Sequence, residues 1–289
     1  MRWSHVSGVV GLVASFLGLS MALPLVCCLY FHENLAAWVF LFSMATAVGS
    51  GALLYTVSRK ETPKALSHRE GMAIVTLGWL SAGVLGALPF YFTGAFPTFA
   101  DSLFESVSGF TTTGSSLLSD IESLPRGILL WRSQIQWLGG MGIIVLGLAV
   151  LPFLGVGGMQ LYKAEVPSPV PDKLKPRIRD TAAILWKAYL LFTVVEVLLL
   201  LFSGMELFDA VSHAFTTMPT GGFSTKNSSV GAFSSWQIEG IILFFMLVAG
   251  INFSLHYQLL LGRPLALFKD PEARFFLVLT AVLILLVGI

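Results

Sequence analysis

One stretch of 15 residues, DSLFESVSGFTTTGS from Asp101 to Ser115, constrains the fold more than any other part of the sequence. It returns in degenerate form 108 residues later, as DAVSHAFTTMPTGGF from Asp209 to Phe223. Each copy lies between two long apolar runs and is too short and too polar to cross a bilayer. Non-helical backbone at membrane depth is tolerated only where it is buried in protein or lines a water-filled cavity. The repeat therefore predicts two equivalent loops that line a pore.

The apolar runs around these stretches predict a polytopic, all-α membrane protein. The chain has 289 residues, of which 55% are hydrophobic and only 11% are charged, and this leaves too little polar surface for a soluble domain. Several runs are longer than the roughly 18 residues that indicate a spanning helix. The runs cover residues 6–31, 35–57, 72–92, 127–154, 181–202, 237–261 and 275–289.

The order of runs and loops divides the chain into parts. We expect an N-terminal transmembrane helix pair (1–57), a first helix–pore loop–helix unit (71–154), a cytoplasmic loop (155–180), a second unit (181–262) and the start of a third (272–289). A cleaved signal peptide is the alternative interpretation of the first run. That run is longer than a signal h-region and a second apolar run follows closely, so we favour a retained helix.

The distribution of Lys and Arg predicts the orientation. With a cytoplasmic N-terminus, all but three of the 17 Lys and Arg residues fall on the inner side, as the positive-inside rule requires. The exceptions are Arg126, Arg132 and Lys226. Both repeated stretches then enter and leave on the outer side, so they are re-entrant. The acidic residues of that side, Glu105 and Asp209 among them, either concentrate cations near an entrance or form a solvated rim without a role.

The first copy of the repeat has the local sequence of a short helix followed by a turn. Ser102 and Glu105 form an S-x-x-E capping box, which predicts a helix that ends near Phe110. The carbonyl end of such a helix carries partial negative charge and favours a cation. Carbonyl oxygens of residues 111–115, and of residues 219–223 in the second copy, are suited to replace the hydration shell of an alkali cation.

With SGFTTTGS in the first copy and TTMPTGGFS in the second, the chain resembles the Trk/Ktr/HKT superfamily of potassium transporters, closest to its bacterial TrkH branch. The leading helix pair and the segment GINFSLHYQLLLGRPLALFKDPE support that branch. The resemblance covers nearly the whole chain. It implies a selectivity filter with ion-binding residues Thr112, Thr113, Gly114, Ser115, Thr220, Gly221, Gly222 and Phe223. In plant relatives, Ser at the first-unit glycine goes with sodium transport, so Gly114 and Gly222 favour K⁺.

The resemblance also implies a function and partners. The expected function is K⁺ uptake across the bacterial cytoplasmic (inner) membrane, with no cofactor and with Rb⁺ and Na⁺ as other candidate ions. Expected partners are the lipid bilayer, a second copy in a homodimer, and a cytoplasmic nucleotide-binding regulatory subunit of the TrkA type that contacts the basic loop 163–179. Channel-like transport and symport with H⁺ or Na⁺ both stay open, and no basic cluster indicates nucleic-acid binding.

The chain departs from the family in the number of units. Members have four units around one pore, whereas this sequence holds two and the first helix of a third. Either it is the first part of a longer protein or two chains pair, and the end inside an apolar run favours the former. A non-conducting truncated or assembly subunit is the alternative function. An intramembrane enzyme is a remote one, because no H-E-x-x-H, G-x-S-x-G or paired intramembrane Asp is present.

Polar residues within the runs allow more than one interpretation. Glu196 is either a cation or proton site or a hydrogen-bonding group between helices. Asn252 and His256 lie one helical turn apart, where interhelical hydrogen bonding is favoured over a metal pair. His213 aligns with Glu105, and for both we favour packing and capping over metal binding.

Two further groups of residues are expected to be structural. The adjacent Cys27 and Cys28 lie inside an apolar run without metal-ligand spacing, and so predict packing. Trp131, Trp137 and Trp236 lie near the predicted helix ends, which is typical of interfacial anchors.

Overall fold

A computed structural model of the chain describes residues 1–58, 67–142, 178–260 and 265–287, and within these ranges the regular structure is helical. The α-helices are α1 (Trp3–Ser20), α2 (Ala22–Tyr30), α3 (Asn34–Ser58), α4 (His68–Phe92), α5 (Phe99–Phe110), α6 (Arg126–Gly140), α7 (Ile178–Phe202), α8 (Leu207–Thr217), α9 (Trp236–Ala249), α10 (Phe253–Leu260), α11 (Leu265–Lys269) and α12 (Pro271–Val287). A short 3₁₀ helix covers Ser229–Phe233.

Four helical segments in the described ranges are long and apolar enough to cross a membrane. They are Trp3–Tyr30, Asn34–Ser58, Arg69–Phe92 and Leu185–Phe202. A shorter apolar helix covers Trp236–Ala249. These segments match the first, second, third and fifth predicted runs, and they confirm the prediction of an all-α membrane protein with several spans.

Two predicted runs are not single helices. The first breaks at Met21, between α1 and α2, and Pro24 lies in the first turn of α2, where its missing N–H costs nothing. The sixth breaks after α9, because Gly250 and Asn252 are weak helix formers. There the His256 Nε2 lies 2.8 Å from the Val248 carbonyl oxygen, so this side chain makes the hydrogen bond between helices that we favoured for it, from α10 to α9.

Two other predicted segments lie mainly outside the described residues. Helix α6 accounts for the start of the fourth run, and residues 143–154 of that run are not described. Residues 155–177 of the predicted cytoplasmic loop are not described either.

The N-terminal helix pair packs against the first repeat unit at both ends. Helix α1 lies along α3 and also contacts α4. Near the N-terminus, the Arg2 guanidinium donates to the Glu70 carboxylate at 2.9 Å, and Glu70 with Ser67 forms the capping box that begins α4. At the other end, the Glu33 carboxylate accepts the Arg126 and Gly127 backbone N–H groups at 2.6 and 3.0 Å, which caps α6.

Helix α6 occupies the centre of the described structure. It contacts α2, α5 and α8, so it lies between the short helices of the two repeats. The largest buried cluster gathers around it and includes Trp131, Ile135, Phe40 and Phe110. Trp131 is fully buried and donates its indole N–H to the Gly86 carbonyl at 3.0 Å.

Candidate functional site

The short helix α5 begins earlier than its capping box predicts. Its N-cap is Thr98, whose hydroxyl oxygen accepts the Asp101 backbone N–H at 3.1 Å. Ser102 lies inside the helix and donates back to the Thr98 carbonyl at 3.1 Å. The prediction of a Ser102–Glu105 capping box is therefore wrong, because Thr98 and Asp101 offer a competing cap. The predicted end at Phe110 is confirmed.

Helix α8 is the equivalent of α5 in the second copy. It begins at Leu207, 108 residues after Phe99. Its N-cap, Glu206, makes no capping hydrogen bond with its side chain. Asp209 is buried, and its carboxylate accepts the Thr225 hydroxyl at 2.6 Å. The Lys226 ammonium lies 3.4 Å from the other oxygen of this carboxylate.

Helix α5 ends in a Schellman motif whose left-handed residue is threonine. The Thr112 N–H donates to the Gly109 carbonyl at 3.0 Å, and the Thr113 N–H donates to the Ser108 carbonyl at 2.9 Å. Thr112 has φ 55°. Glycine is usual at this position, and a β-branched residue with positive φ is strained. Residues 112–115 that follow are called the first loop below.

Helix α8 ends in the same motif. The Thr220 N–H donates to the Thr217 carbonyl at 2.8 Å, and the Gly221 N–H donates to the Thr216 carbonyl at 2.9 Å. Thr220 has φ 56°. The backbone of residues 220–223, called the second loop below, thus begins as the first loop does. A strained backbone conformation that recurs at equivalent positions is a pointer to function.

Both loops alternate the sign of φ over three residues. Gly114 has φ 75° and Gly222 has φ 79°, whereas Thr113 and Gly221 between the left-handed positions do not have positive φ. A backbone in which positive and negative φ alternate can turn successive carbonyl groups to one side of the chain, as in carbonyl-lined ion filters. Each loop can therefore present a row of carbonyl oxygens to one ion.

The two loops are in contact with each other. A Cβ atom added to Gly114 would overlap the carbonyl oxygen of Gly221, whereas one added to Gly222 would meet open space. The structure thus brings all eight predicted ion-binding residues together on adjacent loops. Thr113, Ser115, Thr220 and Gly222 are exposed, Thr112 and Gly114 are partly buried, and Gly221 and Phe223 are buried.

Helix α6 packs directly behind both loops. A Cβ atom at Gly139 would overlap the Phe110 carbonyl, and one at Gly140 would overlap Pro219, so glycine permits the close approach of α6 to both short helices. Gln136, which is fully buried, accepts the Phe223 backbone N–H on its Oε1 at 3.2 Å.

The Gln136 contact fixes the direction of the neighbouring carbonyl. The Phe223 N–H and the Gly222 carbonyl belong to the same peptide group, and in a trans peptide these two bonds point in opposite directions. All peptide bonds of the described residues are trans. The Gly222 carbonyl therefore points away from α6.

An ion pair is buried behind the first loop. The Arg132 Nε donates to the Glu105 carboxylate at 2.8 Å, and both side chains are almost completely excluded from solvent, with exposed fractions of 1% and 0%. Glu105 also accepts the Ser116 hydroxyl at 2.9 Å and the Leu117 backbone N–H at 3.3 Å. Burial therefore excludes a solvated rim as the role of Glu105 and agrees with the packing role that we favoured for it over metal binding.

The same guanidinium contacts the second loop. Its Nη1 donates to the Ser224 carbonyl at 3.2 Å, and its carbon lies 4.3 Å from the centre of the Phe223 ring. The Ser224 hydroxyl in turn lies 3.1 Å from Nε2 of His213, whose Nδ1 lies 2.8 Å from the Asp209 carbonyl oxygen. His213 thus has the packing role expected from its alignment with Glu105.

A further contact joins the segments that follow the two loops. The Asn227 side chain accepts the Ile121 backbone N–H at 2.7 Å and donates to Asp120 at 3.0 Å. The Asn227 backbone N–H donates to Glu122 at 3.0 Å. The carboxylates of Asp120 and Glu122 thus join the segments that follow the two loops.

Glu196 on α7 is buried with an exposed fraction of 0%. The Thr217 hydroxyl lies beside its carboxyl group but donates to the His213 carbonyl at 2.8 Å. Among the described residues, neither oxygen of Glu196 has a hydrogen-bond partner. The Thr217 hydroxyl places Glu196 against α8, so its role as a group between helices and its role as a cation or proton site both stay open.

The remaining predictions have different outcomes. Trp236 is 80% exposed, as an interfacial anchor requires. Trp131 is fully buried, so the prediction of an interfacial anchor at this position is wrong. Trp137 is partly buried and donates to the Thr193 hydroxyl at 3.1 Å. In the described part of the chain, no three His, Cys, Asp or Glu side chains are placed to hold a metal ion.

These features define a helical membrane protein in which two equivalent short helices and their Thr/Gly loops are held side by side by a central helix. The sequence model of the TrkH family, described as a cation transport protein, matches residues 36–288. The chain belongs to this family, which confirms the resemblance noted from the sequence. The relatives in this family are transporters, and membership confirms the expectation that the chain is not an enzyme.

Three relatives illustrate the similarity. The Trk system potassium uptake protein TrkH of Escherichia coli (strain K12) is 45% identical over 281 residues, which are 96% of this chain and 58% of that protein. TrkG of the same strain is 38% identical over 286 residues, with 96% and 58% covered. The crystal structure of the potassium transporter TrkH from Vibrio parahaemolyticus matches with a TM-score of 0.83 at 34% identity, covering 99% of this chain and 58% of that one. The chain thus spans less than two thirds of the length of these relatives.

Proposed function

We propose that this chain supplies two pore units to a K⁺ uptake pathway, with the first and second loops as parts of its selectivity filter. The observation that carries the proposal is the repeated alternation of φ in two adjacent loops. Because relatives named as potassium uptake proteins are matched over 58% of their length, two of four units is the share that this chain is expected to contribute.

In the proposed pathway, hydrated K⁺ arrives from the outer face and exchanges water for loop carbonyls. The C-terminal ends of α5 and α8 direct partial negative charge toward the loops, which favours a cation over an anion. A membrane potential would assist inward movement by about 2.3 kcal/mol per charge per 100 mV. In the first loop the Ser115 carbonyl already accepts the Ser108 hydroxyl at 2.6 Å, so Thr112, Thr113 and Gly114 are the stronger candidates for ion contact.

We place the protein in the cytoplasmic membrane of a bacterium with its N-terminus inside. The proposed organisation is the one stated for residues 1–57, 71–154, 155–180, 181–262 and 272–289. A homodimer and a TrkA-type regulatory subunit remain proposals from family membership. The basic residues 163–177 that we expect to contact that subunit lie outside the described residues.

A matched pair of glycine variants tests the proposal. Gly222 and Gly94 both have positive φ, 79° and 74°, and a Cβ at either would meet open space. The change to Ser therefore imposes similar strain at both positions, but only Gly222 lies in one of the two proposed filter loops, residues 112–115 and 220–223. Expressed in a bacterial strain that lacks its own K⁺ uptake, G222S should lower the ratio of Rb⁺ to Na⁺ uptake, and G94S should leave it unchanged. Equal ratios in wild type and G222S would refute the filter assignment.

The alternative is a non-conducting or assembly subunit. It predicts protein that accumulates in the membrane but carries no Rb⁺ flux. The same assay distinguishes the two proposals, since a wild-type flux above that of cells without the gene excludes the alternative.

A further inference from the structure

We propose that Gln136 and Arg132, one helical turn apart on α6, are positioning residues that hold the second loop in its K⁺-selective geometry. The inference rests on the proposed function and goes beyond it, because neither side chain belongs to the filter itself. Both are buried, with exposed fractions of 0% and 1%. They act on ions only through the backbone that they hold.

Gln136 and Arg132 bind two consecutive residues, Phe223 and Ser224, at the end of the second loop. Gln136 accepts the Phe223 N–H at 3.2 Å, and Arg132 donates to the Ser224 carbonyl at 3.2 Å. The first contact turns the Gly222 carbonyl away from α6, toward the open side of the loop. The second prevents the strand from rotating about its own axis. Together they set the direction of the carbonyl at the glycine where the resemblance places selectivity.

Arg132 also connects this segment to residues that flank the first loop. Its Nη2 donates to the Ser116 hydroxyl at 3.2 Å, and its Nε pairs with Glu105 at 2.8 Å. Three nitrogen atoms of one planar group thus bind Glu105, Ser116 and Ser224, which flank the two loops, in a fixed geometry that lysine does not reproduce. Because Glu105 compensates the positive charge, the guanidinium can lie behind a cation site.

The second repeat has no equivalent of Gln136 and Arg132 on α9, the helix that corresponds to α6. We call the pair of Gln136 and Arg132 the clamp. At the offset of 108, Arg132 corresponds to Gly240 and Gln136 to Phe244, both on α9 and both exposed. Neither side chain can hold a backbone carbonyl or N–H group. Helix α8 contacts the Ser224 and Thr225 side chains, whereas the Phe223 N–H and the Ser224 carbonyl are bound by α6 of the first unit.

A glutamine pair on α6 provides the test. Gln136→Met removes the acceptor for Phe223 with little change in volume. Gln134→Met is the control, because Gln134 is equally buried on the same helix but donates to the Ser20 carbonyl at 2.7 Å, away from both loops. Uptake of Rb⁺ and Na⁺ is measured in cells and divided by the amount of protein in the membrane.

We expect Q136M to lower the Rb⁺/Na⁺ uptake ratio by roughly threefold to tenfold, the scale of one lost buried hydrogen bond, and Q134M to retain the wild-type ratio. The double variant E105Q/R132Q removes both buried charges together, which avoids an unpaired one, and should also accumulate with a lowered ratio. The proposal is overturned if Q136M or the double variant has the wild-type Rb⁺/Na⁺ uptake ratio. It is also overturned if Q134M lowers this ratio as much as Q136M does.

A second readout separates this inference from the proposed function. Should the wild-type protein carry no Rb⁺ flux, the proposed function fails. The clamp is then tested on purified protein by the rise in unfolding temperature in K⁺ relative to Na⁺. A K⁺-specific rise that is present in wild type and Q134M and lost in Q136M supports the clamp, and an equal effect of K⁺ in all three proteins refutes it.

Discussion

The carbonyl oxygen of Gly221 lies so close to Gly114 that no side chain fits between the two loops. Each of these glycines belongs to a different copy of the repeat, so the contact joins the two copies at the centre of the site. Gly222, one residue further on, has a positive φ like that of Gly114, but a Cβ atom at Gly222 would meet open space. The two equivalent glycines therefore differ in their surroundings.

We predict that Gly114→Ala destabilises the protein more than Gly222→Ala. Both variants place a Cβ at positive φ, which costs about 1–2 kcal/mol. Only at Gly114 does the new methyl group also overlap backbone, and overpacking adds about 1–3 kcal/mol. Unfolding midpoints in detergent should show the difference. Equal losses for the two variants would contradict the packing of the loops described above.

Thr112→Gly is predicted to increase stability while it weakens selectivity. The substitution relieves the left-handed strain of a β-branched residue, worth about 1 kcal/mol, because glycine adopts positive φ freely. It also loosens a loop that must hold its carbonyls in place. Thr111→Gly is the control, because Thr111 has φ −81° and gains nothing from glycine. A Thr112→Gly variant that unfolds at a lower temperature than wild type would show that the threonine side chain outweighs the strain.

The equivalent prediction applies to Thr220→Gly in the second loop. Its φ of 56° matches that of Thr112, so the gain in stability should be similar. Thermal unfolding of both single variants and of the double variant measures this. Gains that differ widely between the loops would mean that the strain is not the common cause.

Much of this arrangement could be predicted from local sequence. The repeat, the runs near Asn34–Ser58 and Arg69–Phe92, and the end of α5 at Phe110 follow from hydropathy and composition over short windows. The N-cap of α5 was harder to predict, because T-x-x-D at Thr98 and S-x-x-E at Ser102 are both valid capping signals and lie only four residues apart. Local sequence does not decide between them.

The contacts behind the loops could not be predicted in this way. Glu105 and Arg132 are 27 residues apart and Gln136 and Phe223 are 87 residues apart, so they meet only through packing of α6 against α5 and α8. A charged residue near the end of an apolar run suggests an exposed rim, and only burial reveals a compensated pair. The alignment of Glu105 with His213 was the one available signal.

The two short helices should respond differently to loss of their N-cap side chain. We predict that Thr98→Ala destabilises the protein by about 1 kcal/mol, because it removes the N-cap acceptor of α5. Glu206 is the N-cap of α8 at the equivalent position and makes no capping bond with its side chain, so Glu206→Ala should have little effect. Chemical unfolding of both variants tests this. An equal effect at the two positions would indicate that the cap at Thr98 contributes nothing of its own.

Glu196 offers the last prediction, because it is buried without a hydrogen-bond partner among the described residues. Burial of an unpaired polar group costs about 1–3 kcal/mol, so replacement by an apolar side chain of similar size should recover part of that cost. We predict that Glu196→Leu raises the unfolding temperature and leaves the rate of Rb⁺ uptake unchanged. Thr193→Val is the control on the same helix, because it removes the acceptor of the Trp137 indole N–H and should lower the unfolding temperature. A large fall in Rb⁺ uptake in a stable Glu196→Leu protein would instead identify Glu196 as a cation or proton site, since only a functional carboxyl would be retained at such a cost.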